Sequence, residues 1–271
     1  MSTHDLVATI IAVVVLAAVA VGVLRWYGVP HQWSAATAIA RGMIQLAVVS
    51  VALAGLITHP WLVVLAVSVM FAVAVGTATS RLGTPGAWGR TAGFVALSVA
   101  AGATAALAVV FASGALDPSA RYLLALSAIV IGNTMNIATL TGRRLNEALI
   151  DRWDEVEAWL ALGATPRQAS VSMARQAVHS ALVPSIDQAK TTGLVTLPGA
   201  FVGAIFGGLS PMEAGRFQVL VLAALLASGS IAAVITAQVR ASSPTRPVPL
   251  DEVERPRLRW RRAHSVPGRD E

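Results

Sequence analysis

The chain has 271 residues, of which 55% are hydrophobic and only 13% are charged, whereas a soluble globular domain carries about 25% charged residues. This composition excludes an ordinary soluble enzyme. The formal net charge is +6, and the absence of cysteine excludes a disulfide scaffold, a thiolate metal site and a cysteine nucleophile.

Charge-free windows predict an all-α, polytopic membrane protein. A helix needs about 20 apolar residues to cross a hydrocarbon core that is about 30 Å thick. The window over residues 42–80 is long enough for two helices, and Thr58-His59-Pro60-Trp61 divides it, because proline interrupts a helix and tryptophan favours the interface. The sequence therefore predicts seven transmembrane helices, over about residues 6–24, 35–57, 61–80, 92–113, 122–142, 189–209 and 217–239.

The basic residues predict the orientation of these spans. Residues 1–5 contain no Lys or Arg, which a cleaved signal peptide would need, so we expect the first window to be a span. With the N-terminus outside and the C-terminus inside, only Arg121 and Arg216 lie outside, and the other eighteen of the twenty Lys and Arg residues face the cytoplasm. Cytoplasmic loops are enriched in Lys and Arg, which favours this orientation.

The segment between spans five and six, residues 143–185, is predicted to form a cytoplasmic helix, a corner and a second helix. Its first part carries an apolar stripe at helical spacing, formed by Leu145, Leu149, Trp153, Val156 and Leu160. Gly163 is a stop signal, and Thr165-Pro166-Arg167-Gln168 has the pattern of a capping box with proline at the first helical position. We expect the second helix to end near Pro184.

Residues 157–164 resemble the "EAA…G" element of ABC-transporter permeases, the cytoplasmic corner that docks into a groove of the ATPase subunit. Pro184 lies further from Gly163 than in the binding-protein-dependent importers, which disfavours an importer. The resemblance implies a role in ATPase coupling for Glu157, Ala158, Gly163, Ala164 and Pro166.

Other motifs, at residues 43–46, 132–136 and 194–218, follow in the order found in the FetB family of permeases. The chain is similar to this family from about residue 35 to residue 240. The family includes the iron-export permease of enteric bacteria and plant aluminium-tolerance permeases. The resemblance implies a multi-pass permease of the inner (plasma) membrane that exports metal as a homodimer, with a separate ABC ATPase subunit. ATP and Mg would then bind to that partner, no cofactor would bind to this chain, and the chain would not itself be an enzyme.

Polar residues within the spans are candidates for the substrate path. Gln45, Asn133 and Asn136 would either line the path or form hydrogen bonds between helices, because polar groups in a bilayer need partners. Asp187 and Lys190, three residues apart, would share a helical face at the inward entrance of span six. They would gate the path or, as we favour, form an ion pair at a helix end.

A second group of residues concerns helix packing. Pro198 would kink span six, and Gly199, Gly203 and Gly207 repeat every fourth residue. They favour a hinge, a contact between two permeases, or close packing within one subunit. The five histidines have no metal-ligand spacing, so the metal ligands stay unknown.

The Arg- and Pro-rich tail, residues 241–271, is predicted to be a disordered cytoplasmic segment that does not bind nucleic acid. Two alternative functions remain besides metal export by an ABC transporter. One is a secondary transporter driven by an ion gradient, although the spans contain no buried carboxylate and no repeat is apparent. The other is an ABC permease for a cargo that is not a metal.

Overall fold

The computed structural model describes residues 3–56, 60–83 and 87–242, and all regular structure in these ranges is helical. The predicted all-α class is therefore confirmed for this part of the chain. The helices are α1 (Thr3–Trp26), α2 (Ser34–Leu56), α3 (Pro60–Leu82), α4 (Trp88–Ala112), α5 (Ala120–Asp151), α6 (Trp153–Ala161), α7 (Pro166–Ala169), α8 (Val171–Thr191), α9 (Gly199–Phe206) and α10 (Pro211–Arg240).

Five helices are long and apolar enough to cross a membrane, and they coincide with predicted spans one, three, four, five and seven. They are Val7–Trp26, Trp61–Leu82, Trp88–Ala112, Ala120–Asp151 and Pro211–Arg240. In α2 the apolar stretch Ser34–Ser50 is shorter. Of the predicted turn that separates α2 from α3, Thr58 and His59 lie outside the described residues, as does the tail from residue 243.

The prediction of a single helix over residues 189–209 is wrong. The structure has two helices there, because α8 ends at Thr191 and α9 begins only at Gly199. Gly193 adopts a left-handed φ of +88°, which turns the chain out of the helix, and the amide of Val195 folds back to donate to the carbonyl of Thr191 (3.0 Å).

The predicted helix end near Pro184 is also wrong, since α8 continues through this proline for two further turns. Proline inside a helix removes one hydrogen bond, here the bond to the carbonyl of Ser180. Pro184 is exposed, while the preceding turns of α8 bury Met173, Ala177 and Ala181 at helical spacing on the same side of the helix. The helix is therefore held by packing before it reaches the proline.

The chain divides into two units, Met1–Leu62 and Val63–Glu271. In the first unit α1 packs against α2. In the second, α4, α5 and α10 pack against one another around a continuous apolar core, to which α3 adds Ala74, Ala78 and Leu82. At one end of this core the rings of Tyr122 and Phe217 lie 5.6 Å apart.

Small residues bring these core helices into close contact. A side chain at Gly102 of α4 would collide with the carbonyl oxygen of Ser228 on α10, and a side chain at Gly229 would collide with Ile137 on α5. Because lipid and apolar side chains are equally apolar, helices in a membrane associate largely through such close packing. Gly102 and Gly229 therefore allow the approach on which the three-helix core depends.

We expect Gly102→Ala to destabilise the fold, because its methyl group would meet a backbone atom that cannot rotate away. Overpacking of this kind costs about 1–3 kcal/mol. The apparent melting temperature of the detergent-solubilised protein should fall. Gly93→Ala on the same helix is the matched control, since a side chain there meets nothing within 4 Å. Equal melting temperatures for the two variants would contradict the close contact between α4 and α10.

Candidate functional site

The corner predicted as the ATPase contact stands on a compact apolar base. α5 contains 32 residues and is therefore about 48 Å long, well beyond the thickness of a hydrocarbon core. The predicted stripe is confirmed: Leu145, Leu149, Trp153 and Val156 are buried, and Leu160 packs against them. Their partners come from α7, α8 and the end of α10, and they are Ala169, Met173, Ala177 and Ala241.

The corner itself is a short turn between α6 and α7. Gly163 has φ +89°, and the amides of Gly163 and Ala164 donate to the carbonyls of Leu160 (3.0 Å) and Trp159 (3.0 Å). These bonds close the end of α6 and leave the carbonyls satisfied. Gly163 has open space around its Cα, so the backbone conformation, and not a close neighbour, calls for glycine here.

The predicted capping box at the start of α7 is confirmed. The backbone N–H of Gln168 donates to Thr165 Oγ1 (3.3 Å), and the backbone N–H of Thr165 donates to Gln168 Oε1 (2.8 Å). Pro166 occupies the first helical position, where its missing N–H leaves no carbonyl unpaired. Both sides of the corner are therefore fixed by local hydrogen bonds.

Two acidic side chains of α6 are held by residues at the start of that helix, namely Trp153 and the N-cap residue Arg152. The indole Nε1 of Trp153 donates to the carboxylate of Glu157, and the guanidinium of Arg152 pairs with Glu155. Because Trp153 belongs to the apolar base, its hydrogen bond positions Glu157, one of the predicted coupling residues, close to the corner.

The corner exposes two large apolar side chains to which the sequence motifs assigned no role. Trp159 is 51% exposed and Leu162 is 80% exposed, while Ala158 and Gly163 beside them are also exposed. Apolar side chains that protrude from an otherwise charged segment are typical of interaction sites. The available signal was the position of Trp159, which lies off the buried stripe of an amphipathic helix.

Beyond the corner, α8 runs antiparallel to α10 and enters the bundle. Ser170 Oγ donates to the carbonyl of Ala241 (3.0 Å), and eleven residues later Ala181 packs against Ile137 and Ala233. At helical rise, Asp187 then lies about 15–20 Å from the level of Arg240, the last residue of α10. Asp187 and Lys190 thus lie in the last two turns of α8, on the far side of the Ala181 contact from the corner.

One face of α8 is exposed along the whole helix and is mostly polar. Its polar members are Ser172, Gln176, His179, Asp187 and Lys190, and Val183 is the apolar residue between them. We call this set the polar stripe. The predicted ion pair is present, with 3.3 Å between Lys190 Nζ and Asp187 Oδ1, and both side chains are more than half exposed.

The two candidate asparagines of α5 make contacts with different helices. Asn133 Nδ2 donates to the backbone carbonyl of Leu225 on α10 (3.1 Å), which is the interhelical alternative of the two predicted. Asn136 is exposed and accepts a hydrogen bond from Arg81 of α3 (3.3 Å). Arg143 in turn donates to the backbone carbonyl of Arg81 (3.3 Å), a link between α3 and α5 that the sequence did not reveal.

The remaining candidates stand apart from these contacts. Gln45 is exposed on α2, in the first unit. Pro198 immediately precedes α9, and a side chain added at Gly199 or Gly203 would meet nothing within 4 Å in the described part of the chain. No cluster of three or more potential metal-ligating side chains is found among the described residues.

Comparisons with known proteins assign the chain to a family. Residues 7–243 match the family described as Uncharacterised protein family (UPF0014). A UPF0014 membrane protein of Synechocystis is 32% identical over 226 residues, which cover 81% of this chain and 86% of that protein.

Two further relatives carry more informative names. The probable iron export permease protein FetB of Escherichia coli is 37% identical over 142 residues, which cover 52% of this chain and 54% of FetB. The UPF0014 membrane protein STAR2 of Oryza sativa is 35% identical over 203 residues, which cover 73% of this chain and 70% of STAR2. No solved structure matches.

These matches confirm the resemblance to the FetB permeases. They agree with the five apolar helices, which are those of a multi-pass membrane protein, and with the predicted location in the inner membrane. The chain belongs to the UPF0014 family of membrane permeases.

Proposed function

We propose that this chain is the membrane subunit of an ABC transporter that exports a metal cation, using ATP hydrolysed by a separate ATPase subunit. One observation carries the proposal: a rigid, hydrogen-bonded corner exposes Trp159 and Leu162 above a packed apolar base. Such a protrusion suits insertion into the groove of a partner, where tryptophan and other large side chains supply most of the binding energy.

The contacts of the corner provide a route for movement into the spans. Ser170 donates to the carbonyl of Ala241, and Arg167 donates to Gln238 (2.6 Å), so the segment after the corner is bonded to the end of α10. Trp153 and Val156 of α6 pack in the same cluster as Leu145 and Leu149 of α5. A displacement of the corner would therefore be transmitted to α5, α8 and α10 as packed units.

Two copies of the chain would enclose the transport path. If α8 and α9 together form a span, the polar stripe of α8 would lie at bilayer depth, where charged or amide side chains are not stable against lipid hydrocarbon. A second copy, with water between the two stripes, would solvate Asp187 and Lys190. The break after Thr191 would interrupt this span at a similar depth, as in transporters whose binding sites lie at interrupted helices.

The orientation follows from the same division of charge that the sequence predicts. We propose seven spans, with α8 and α9 together as the sixth, the N-terminus outside, and the corner and C-terminus in the cytoplasm. Iron is the proposed cargo because FetB is named a probable iron export permease. The carboxylate of Asp187 and the backbone carbonyls near Thr191 supply oxygen ligands, which suit a hard cation.

We expect Trp159→Ala combined with Leu162→Ala to weaken binding of the ATPase by at least tenfold, because exposed aromatic and apolar anchors are typical hot spots. The partner is best sought in the neighbouring reading frame. The measurement is the amount of ATPase that copurifies with the permease from membranes in which both are expressed. The control is Trp88→Ala, which removes an equally exposed tryptophan from the start of α4.

Both altered side chains are largely exposed, so the permease itself should keep its melting temperature. Copurification that is undiminished in the double variant would remove the corner from the ATPase contact. An equal loss with Trp88→Ala would show that the effect is not specific to the corner.

We expect a single cysteine at the corner to react with a membrane-impermeant maleimide only after the cells are permeabilised. Ala161→Cys is suitable because Ala161 is exposed, and the natural chain has no cysteine. Met212→Cys, at the other end of the bundle, is 84% exposed in the native chain and should react in intact cells. The reverse pattern would place the corner outside, where no ATPase could reach it.

We expect Asp187→Asn to lower metal efflux, measured as ATP-driven uptake of the metal into inside-out vesicles, by about tenfold, equivalent to about 1.4 kcal/mol, while ATPase copurification stays normal. The reason is the loss of the negative charge of the polar stripe. Glu147→Gln is the matched control, since it removes the acidic partner of a similarly exposed ion pair, Arg144–Glu147, outside the stripe. Normal efflux in the Asp187 variant would exclude this residue from the path, and efflux that persists without the ATPase would favour an ion-driven transporter.

A further inference from the structure

A cleft of about 360 Å³ lies between α8 and α10, on the side of the bundle where α10 ends. Val171 and Val178 line it from α8, and Val234 and Ala237 line it from α10. The guanidinium groups of Arg167 and Arg175 stand at its border, and none of its described lining residues is acidic. The volume is within the range of small-molecule binding sites, which is about 300–1,000 Å³.

The cleft lies at the end of a helix that is long and apolar enough to cross a membrane, which would place it near the boundary between hydrocarbon and water. Val234 and Ala237 belong to the last two turns of the apolar helix Pro211–Arg240, and Ala241 of the lining follows directly. Arg167 and Gln238 are hydrogen-bonded at the end of the cleft next to Ala241, whereas Val178 and Val234 lie further inside the bundle. An occupant would therefore meet charge and amide groups at one end and apolar side chains at the other.

The two arginines differ in the hydrogen bonds that they already make. Arg167 donates to the neutral amide oxygen of Gln238, so its positive charge is not neutralised by this contact. Arg175 has no hydrogen bond or ion pair with any described residue. Two uncompensated guanidinium groups favour an anion, and guanidinium binds phosphate through two parallel hydrogen bonds.

We propose that this cleft binds an anionic phospholipid, with the phosphate between Arg167 and Arg175 and an acyl chain along Val171, Val178 and Val234. Basic pockets between membrane helices bind anionic headgroups by this combination of charge and apolar contact. A free phosphate would leave the apolar wall uncovered, which is why we assign the cleft to a lipid. The assignment does not depend on the ATPase or on the cargo.

Such a lipid would be placed to act on the corner. Arg167 follows Pro166 directly and lies inside the capping box of Thr165 and Gln168. The phosphate would hold Arg167 from the bilayer side while Gln238 holds it from α10. An occupied cleft would therefore stiffen the segment that joins the corner to α8 and α10.

The test is a titration of the full-length protein in detergent with phosphatidylglycerol or phosphatidylcholine of the same acyl chains, followed by native mass spectrometry. We expect a preference for phosphatidylglycerol. Arg167→Gln combined with Arg175→Gln should weaken phosphatidylglycerol binding by about 25-fold, since each basic side chain near an anionic lipid contributes roughly fivefold. Phosphatidylcholine binding should change little.

Two further variants separate the cleft from general charge. Arg144→Gln combined with Arg152→Gln removes the same charge from exposed ion pairs outside the cleft and should leave the preference unchanged. Val234→Trp keeps both arginines but fills the cleft, and it should also lower phosphatidylglycerol binding. Melting temperatures of all variants identify any that fail to fold, and the Val234 variant keeps the test decisive if the arginine variant does so.

Three results would overturn the proposal. The first is unchanged phosphatidylglycerol binding in the Arg167 and Arg175 variant or in the Val234 variant. The second is an equal loss in the Arg144 and Arg152 control, which would indicate attraction to total charge. The third is a chemical cross-link between the cleft and residues 243–271 that persists in phosphatidylglycerol vesicles, because the tail would then be the occupant.

Discussion

A polar side chain at bilayer depth must find water or a polar partner, and this constraint governs the second unit of the protein. Inside the three-helix core, the hydroxyl groups of Ser98, Thr134 and Ser228 find such a partner by donating to carbonyls of their own helices. On the polar stripe of α8, Asp187 and Lys190 pair with each other and stay exposed, and no other described residue forms an ion pair with either of them. Exposed charged side chains of this kind are not stable against lipid hydrocarbon.

The same helix connects the polar stripe to the corner. α8 begins two residues after the capped turn of α7, buries Met173 and Ala177 in the apolar base, and reaches Asp187 without interruption. A break near Pro184, which the sequence predicts, would have separated the corner from the polar stripe. Because the helix is continuous, the stripe and the segment that follows the corner belong to one element, with no loop between them.

Features set by neighbours along the chain were predictable from the sequence, whereas features set by distant contacts were not. The apolar stripe from Leu145 to Leu160 and the capping box of Thr165 depend on spacing alone. The exposure of Trp159 was predictable on the same ground, because this residue lies off the stripe that places Trp153 and Val156 in the apolar base. The contact of Gly102 with Ser228 joins residues from different spans, so the sequence motifs drew attention to Gly199 and Gly203 and missed it.

The strong preference for arginine over lysine has a structural explanation in the interhelical contacts. The sequence contains a single lysine, Lys190, among its twenty basic residues. Several arginines tie helix ends together through neutral oxygens: Arg240 donates to Asn146 (2.7 Å) and lies over the ring of Phe94, and Arg143 reaches the carbonyl of Arg81 through two of its nitrogens. A planar guanidinium can stack on a ring and donate several hydrogen bonds at once, which the compact lysine ammonium cannot do. The one lysine lies instead on the polar stripe, where a mobile, strongly hydrated charge suits a wet surface.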